Sequence, residues 1–324
     1  VVFMDFLANY FGSLNPMSFL SALPGNIAQG IIWGLMGLGV FLTFKLLNFA
    51  DLSVDGSFAT GGAVTAVMLI NGCPVWATII VAILAGLAAG LVTGLLHTLL
   101  GIPDILAGIL TQIALYSINL NIMGKSNLPI SYRNYTLVVS ASNINMAILV
   151  GLGICAIVIA AMYWYFGTEQ GSTIRSTGSN PAMSKAQGIN INFTKVIALA
   201  LSNGLVALSG SLFAQYQGFA DINMGRGAIV IGLAAVIIGE VLGEAIFRKH
   251  MNFIIRMLFV IVGGILYYIA MGIVLWLKMP TDDTKLFTAI IVAIFLAVPY
   301  LQKKRKTSFK KVAKMNAKNA QKEG

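Results

Sequence analysis

The sequence predicts an all-α, polytopic membrane protein with about nine membrane segments, including broken or re-entrant helices in an inverted repeat. Of its 324 residues, 58% are hydrophobic and only 10% are charged, and its mean hydropathy is +0.86. Soluble domains are about 25% charged, and so few polar groups could not cover a soluble protein of this size. The composition therefore excludes a soluble enzyme, a disulfide-rich secreted domain and a disordered protein, because such apolar runs require lipid or each other.

Nine apolar segments are separated by polar or glycine-containing turns. They lie at 27–44, 56–70, 76–100, 104–120, 144–166, 193–217, 229–246, 253–275 and 286–301. A straight span needs roughly 20 residues, so the shortest two, 56–70 and 286–301, are typical of broken or re-entrant transporter helices. Residues 1–26 carry one charge, Asp5, with scattered aromatic residues, and we interpret them as an interfacial N-terminal segment.

The distribution of Lys and Arg predicts the orientation. Residues 303–324 carry nine Lys or Arg and one Glu, as expected for a basic cytoplasmic tail that contacts anionic lipid. With the tail inside and the spans alternating, 16 Lys and Arg lie inside and five outside. We therefore expect Lys45, Arg175, Lys185 and Arg256 to be cytoplasmic and Lys125 to be external. The absence of any other basic patch argues against a nucleic-acid partner.

A short repeat suggests that the chain has two related halves. Residues 49–53 read FADLS and residues 219–223 read FADIN, 170 positions later, and each is followed by a glycine-rich apolar run. In the predicted topology the first run leaves the cytoplasm and the second returns to it. We therefore expect an inverted-topology repeat with a solute pathway between its halves.

Polar residues in or next to apolar segments are the candidates for this pathway, because a charge in the membrane interior must be paired, hydrated or functional. Carboxylates at a break also cap half-helices, so capping and solute contact remain alternatives for Asp51 and Asp221. Amides on helices bind neighbouring helices as well as ligands. The candidate pathway residues are Asn48, Asp51, Asp55, Asn119, Gln215 and Asp221.

Motifs for catalysis, metals or nucleotides do not emerge from the sequence. His97 and His250 are far apart, and Cys73 and Cys155 are isolated, so no metal site is predicted. The tripeptide Gly124-Lys125-Ser126 imitates the end of a P-loop, but Asn119 occupies the position of the required first glycine. We expect no enzyme activity and no cofactor in this chain.

One polar loop on the predicted cytoplasmic side contains a helix-start pattern. Ser179 or Asn180 can serve as the cap, Pro181 stands in the first turn, and Gly188 follows AMSKAQ as a stop. A short polar helix between two spans is suited to docking a soluble partner. The residues that we assign to this surface are Gly178, Asn180, Pro181, Ala182, Met183, Lys185, Ala186 and Gly188.

The same loop resembles the cytoplasmic loop of permease subunits of ATP-binding-cassette importers of the ribose and branched-chain amino acid type. The matching pattern is Arg175-x-x-Gly178-x-Asn180-Pro181, followed by Gly188-Ile189-Asn190. The segments LNFADLSVDGSF at 47–58, LAGIL at 106–110, ALYSINL at 114–120 and AQYQGFAD at 214–221 are similar to tryptophan/tyrosine-type permeases. The similarity covers about residues 27–300, so we interpret residues 27–302 as a transmembrane permease domain.

The resemblance implies a bacterial, multi-pass cell-membrane importer made of several chains. Two permease copies would be driven by a pair of cytosolic ATPases, which bind ATP and Mg²⁺, and fed by an extracellular solute-binding lipoprotein. Residues 178–188 would be the coupling helix that docks on an ATPase, and the solute would be an amino acid, with an aromatic one favoured. An ion- or proton-coupled secondary transporter is the alternative, because it also shows inverted repeats and buried acids.

Overall fold

The structure is a computed structural model that describes residues 16–131, 135, 137–247, 251–277, 286–287, 289–294 and 297. Up to residue 277, ten α-helices and a two-stranded ribbon follow one another, and the described residues from 286 to 297 are also helical. The helices are α1 (Pro16–Val40, continued by a π-helical turn, Phe41–Leu46), α2 (Val54–Ile70), α3 (Val75–Leu99), α4 (Asp104–Met123), α5 (Ile144–Gly167), α6 (Glu169–Ser179), α7 (Pro181–Ala186), α8 (Ile191–Gln217), α9 (Ala228–Phe247) and α10 (Phe253–Trp276). The strands are β1 (Asn127–Pro129) and β2 (Phe219–Asp221).

Seven of the described helices are long and apolar enough to cross a membrane. They are α1 with its π-helical turn, α3, α4, α5, α8, α9 and α10. The described residues therefore give seven spans plus the shorter apolar helix α2, and the ninth expected segment, 286–301, lies only partly within them. Helix α1 begins at Pro16, so the boundary expected between residues 26 and 27 falls inside a continuous helix.

Helix α8 is the buried helix against which α1, α2 and α3 pack. It is buried along most of its length. At one end, which we call the strand end, β1 pairs antiparallel with β2 and the Tyr216 hydroxyl donates to the Gly25 carbonyl. At the opposite end, the α7 end, Lys195 contacts His97 at 2.9 Å.

The cations predicted to lie inside gather at the α7 end. Glu240 on α9 accepts from Lys45 at 2.8 Å and lies 3.7 Å from Arg256 on α10. Arg175 on α6 donates to the Phe166 carbonyl at the end of α5. Lys125, predicted to lie outside, follows α4 immediately before β1, at the strand end. The structure thus separates these two groups of charges along the spans, as the charge bias requires.

Glycine permits the close approach of α3 to α8. Gly86, Gly90 and Gly94 stand at intervals of four on α3, and an added Cβ at each would meet the backbone of α8. At Gly90 this Cβ would lie 2.7 Å from the Ala200 Cα. Small residues allow helices in a membrane to pack backbone to backbone. The GxxxGxxxG spacing of α3 therefore serves close packing against α8.

Helix α2 is a half-helix that starts deep inside the protein. Its 17 residues extend about 25 Å, less than the roughly 30 Å of the hydrocarbon core. Near its first turn the Ser57 hydroxyl donates at 2.6 Å to Asn203, which lies near the midpoint of α8. Further along, Thr65 donates to Ser211. Helix α2 therefore runs parallel to α8, from its middle towards the strand end.

A buried polar cluster holds the start of α2 against α8. Asp51 is 1% exposed, and its carboxylate accepts from the Ser53 amide at 2.9 Å and from the Asn203 side-chain nitrogen at 2.8 Å. The Ser53 hydroxyl contacts the same carboxylate. Asn203 also donates to the Leu199 carbonyl, so its amide is satisfied by four groups. Asp51 thus closes the re-entrant loop 47–53 onto the central helix.

We expect Gly90→Val to destabilise the protein because its methyl groups would be forced against the α8 backbone. The expected loss is about 1–3 kcal/mol, as for overpacked cores. The matched control is Gly153→Val on α5, where an added Cβ has no heavy atom within 4 Å. Thermal unfolding in detergent, followed by intrinsic fluorescence, measures both variants. Equal melting temperatures would contradict the close approach.

We also expect Asp51→Ala to be much more destabilising than Asp221→Ala. The first variant leaves buried donors on Ser53 and Asn203 without their acceptor, at about 1–3 kcal/mol for each. Asp221 bonds to the Asn223 amide and to Asn127 at the strand end, where water can replace it. The same unfolding measurement compares the two, and a smaller loss for Asp51→Ala would refute the capping role.

Candidate functional site: a mid-membrane cavity and an exposed loop helix

A polar cavity opens beside the deep start of α2. Its volume is about 430 Å³, and it lies between α2, α4 and the segment 222–226 that precedes α9. Small-molecule sites usually occupy about 300–1,000 Å³, so this cavity can hold a small solute. Its polar side chains are those of Asp55, Gln112, Tyr116, Ser117, Asn119 and Arg226.

Asp55 connects the two half-helix starts that meet at this cavity. It stands in the first turn of α2, and its two carboxylate oxygens each accept a backbone amide at 2.9 Å, from Gly227 and from Ile229. These amides belong to the start of α9, where a helix has unsatisfied donors and a partial positive charge. Gly227 has φ of 84°, a left-handed conformation that favours glycine. A carboxylate from one half of the chain therefore caps a helix of the other half.

Asn119 differs from the other buried amides of the domain. It is 0% exposed, and neither its side-chain nitrogen nor its side-chain oxygen has a hydrogen-bond partner among the described residues, whereas Gln215 lacks one only for its nitrogen. Most buried polar side chains in proteins are bonded. An amide that lines a cavity with both groups free offers a donor and an acceptor to whatever occupies that cavity.

The structure brings two of the six predicted pathway residues, Asp55 and Asn119, to the cavity. Asp51 lies behind them in its cluster with Asn203. Gln215 is buried and accepts from the Val138 amide at 3.0 Å. Asn48 is exposed in a left-handed conformation, with φ of 56°. Asp221 pairs across the ribbon at the strand end, so the two FAD segments lie at different levels of the domain.

Sequence reasoning missed Arg226 as a member of this site. Arg226 is one of the five Lys and Arg that the predicted topology places outside. In the structure it lines the cavity together with Asp55. The signal was available, because residues 225–227 read GRG immediately before an apolar run. Glycines on both sides of an Arg are expected at a turn that leads into a helix. An Arg at such a position in a membrane protein is expected to face a cavity rather than lipid.

The second candidate site is the loop helix α7 and its surroundings. The Asn180 side chain accepts from the Met183 amide at 3.1 Å, Pro181 occupies the first turn, and Gly188 ends the turn with φ of 82°. The predicted short helix is confirmed. Ser184 is buried on its inner face. The residues that remain exposed include Ala182, Met183, Lys185 and Ala186.

Gly178 does not belong to this short helix, which corrects the sequence interpretation. The loop forms a separate helix before it, α6, whose cap is Thr168. Gly178 lies near the end of α6, where an added Cβ would collide with the Leu46 carbonyl. Glycine is therefore required at position 178 because α6 lies in close contact with the end of the π-helical turn. Sequence reasoning missed α6 because EQGSTIRSTGS has few apolar residues and two glycines.

No group of three or more metal-ligating side chains occurs among the described residues. The carboxylates of the cavity and its surroundings are held by amides and hydroxyls.

Comparison with known proteins places the chain in a family. The model of the branched-chain amino acid transport system permease component matches residues 25–299. A tyrosine transport system permease protein of Clostridioides difficile is 42% identical over 301 residues, covering 92% of this chain and 99% of the relative. The D-allose transport system permease protein AlsC of Escherichia coli is 27% identical over 261 residues, covering 79% and 77% of the two chains.

A solved structure shows the same fold. PsaBC from Streptococcus pneumoniae, in complex with Fab, aligns with a TM-score of 0.50 and 16% identity, covering 90% of this chain and 94% of that one. These matches decide between the two transporter classes that the sequence left open. The chain belongs to the permease family of branched-chain amino acid transport systems and is a multi-pass bacterial membrane subunit of an ATP-binding-cassette transporter, whose ATPase is a separate chain.

Proposed function

We propose that this chain is the permease of an importer for an aromatic amino acid of the tyrosine type. The observation that carries this proposal is the near-complete match to the tyrosine transport permease, which extends over 99% of that relative. The proposed assembly contains two copies of this permease, a pair of ATPases that bind ATP and Mg²⁺, and an external solute-binding lipoprotein. The permease itself contributes the pathway and the surface that receives the ATPase.

Helix α7 is the proposed coupling helix. It combines a fixed position with an exposed apolar surface: Asn180 and Pro181 set its start, Ser184 anchors its inner face, and Met183 is 58% exposed. Interfaces depend on a few central anchors, and the flexible side chain of Met fits irregular grooves. Lys185 adds charge at the rim, where it affects association more than affinity.

Gly178 supports a route by which docking at α7 reaches the cavity. The end of α6 packs on the Leu46 backbone through this glycine. From there the loop 47–53 leads to Asp51 and the start of α2, and Asp55 on α2 binds the first amides of α9. A displacement of α6 and α7 would therefore move two half-helices that border the cavity.

A second permease copy is the proposed cover of the open cavity wall. Ile113 and Tyr116 on α4 are exposed beside the cavity, whose lining includes both a carboxylate and a guanidinium. Such a surface would be costly to leave against lipid. With a second permease copy on this side, the open wall of the cavity faces protein and a solute pathway between the two copies instead of hydrocarbon.

The proposed sides of the membrane follow from the charges at the two ends of the domain. The α7 end is cytoplasmic, because Lys45, Arg175 and Arg256 gather there. The proposed tail 303–324 continues on this side and contacts anionic lipid, while the proposed interfacial segment 1–26 and the strand end lie outside. Residues 303–324 and most of residues 1–26 lie outside the described part of the chain.

An inverted repeat of nine segments remains part of the proposal. Asp51 accepts from the amide two residues on at 2.9 Å, and Asp221 does so at 2.7 Å. Helix α2 then runs from the middle of the domain to the strand end. Helix α9 runs from the cavity to the α7 end, where Glu240 meets Lys45. The repeated local geometry and the opposite directions support an inverted arrangement.

We expect Met183→Asp to abolish coupling while leaving the permease folded, because a carboxylate would replace the apolar anchor of the ATPase contact. The matched control is Met146→Asp. Met146 is also 58% exposed and is also the third residue of its helix, α5, but it lies at the strand end. ATP-driven uptake of L-tyrosine into proteoliposomes that contain the permease, its ATPase and its binding protein should fall by about tenfold or more for Met183→Asp alone. Full uptake and full ATPase stimulation by the Met183 variant would refute the coupling role.

A second variant tests the route from the coupling helix to the cavity. Gly178→Ala would push α6 away from Leu46 without altering the exposed face of α7. We expect the ATPase to remain bound and transport to fall by about tenfold, so that hydrolysis and uptake are separated. Gly167→Ala, whose added Cβ has no heavy atom within 4 Å, serves as the control. Loss of ATPase binding together with transport would instead place Gly178 in the docking surface.

A further inference from the structure

The cavity contains charges of both signs. Its charged lining residues are Asp55 and Arg226, and within the described residues Arg226 forms no ion pair. The Asp55 carboxylate accepts two backbone amides, but a carboxylate has about four acceptor positions. Both groups therefore retain hydrogen-bonding capacity towards a ligand.

Asn119 is the second, independent observation. Its carboxamide is completely buried, and within the described part of the chain neither of its polar atoms has a partner. Asn203 provides the contrast, because it is equally buried and yet donates to Asp51 and Leu199 and accepts from Ser53 and Ser57. At Asn203 the fold therefore satisfies both polar atoms of a buried Asn. An unsatisfied amide at a cavity wall is typical of a group that is completed by a ligand.

The rest of the wall defines the shape of that ligand. Ile109, Ile113 and Tyr116 form an apolar and aromatic side of the cavity, opposite in character to the charged residues. A ligand that matches all these groups has a carboxylate, an ammonium and an apolar or aromatic body. A sugar would match the amide but would leave a guanidinium and a carboxylate without counter-charges.

We propose that the permease itself contains a recognition site for a zwitterionic α-amino acid. In this site Arg226 binds the α-carboxylate, Asp55 binds the α-ammonium, and Asn119 donates to the first and accepts from the second. This inference rests on the proposed function and adds to it a second selection step. Selection occurs twice, once in the external binding protein and again in the membrane, where the half-helices meet.

The test measures binding to the full-length permease in nanodiscs, without ATPase or binding protein. Three probes share one ring: L-tyrosine, tyramine, which lacks the carboxylate, and 3-(4-hydroxyphenyl)propionate, which lacks the ammonium. Equilibrium dialysis should show L-tyrosine binding about tenfold or more tightly than either analogue. Arg226→Gln should abolish the preference over tyramine, whereas Arg256→Gln, at the α7 end, should leave it unchanged. Equal binding of all three probes, or no binding, would overturn the inference.

Asn119→Leu separates recognition from a structural role. Leu has a similar shape and no polar group, so it removes the unsatisfied amide, and the melting temperature should be unchanged or raised. Binding of L-tyrosine should nevertheless weaken by about tenfold. A lower melting temperature with unchanged binding would show that Asn119 is structural and would refute its place in the site.

ATP-driven uptake by the complete transporter distinguishes this inference from the proposed function. Uptake of L-tyrosine with an unchanged KM in the Arg226 and Asn119 variants would overturn the recognition site and leave the importer intact. Selective binding without ATP-driven uptake would overturn the importer proposal and leave the site.

Discussion

Two helices begin in the middle of this membrane domain, and the rest of the structure depends on how their first amides are satisfied. Hydrocarbon offers no hydrogen bonds, so the free donors at a helix start must be bonded by protein or by water in a cavity. Asp51 accepts the Ser53 amide just before α2, and Asp55 accepts two amides at the start of α9. Asp51 thus fixes the loop before α2, Asp55 caps the start of α9, and the cavity lies beside these two starts.

Close packing around α8 complements this capping. The carboxylate of Asp51 reaches Asn203 only because α2 and α3 lie almost backbone to backbone with α8, at Gly61 and Gly90. In a membrane such packing is stabilised by dispersion and by interhelical hydrogen bonds rather than by the hydrophobic effect. The polar cluster and the glycines are therefore one arrangement, in which the glycines bring the backbones together and the cluster fixes their register.

The sequence alone predicted the secondary-structure elements better than the tertiary contacts between them. Long apolar runs and the Asn180-Pro181 start depend on local chemistry, and the structure has them as expected. The repeated FAD segments are alike in sequence, but one lies beside mid-α8 and the other at the strand end. The cap of α9 comes from Asp55, 172 residues earlier in the chain. No periodicity encodes such a long-range contact, and the same holds for the contact of Gly178 with Leu46.

The shared cap has a mechanical consequence for a transporter. Because Asp55 is covalently part of α2 and hydrogen-bonded to α9, the two half-helices cannot separate at the cavity without exposing amides to an apolar interior. Movement transmitted from α7 through Leu46 must therefore shift α2 and α9 together, or else replace the cap by water or solute. The cavity that Asp55 lines is the place where such replacement is possible. A zwitterion bound there would compete for the same carboxylate, so occupancy of the site and the freedom of the half-helices are physically linked.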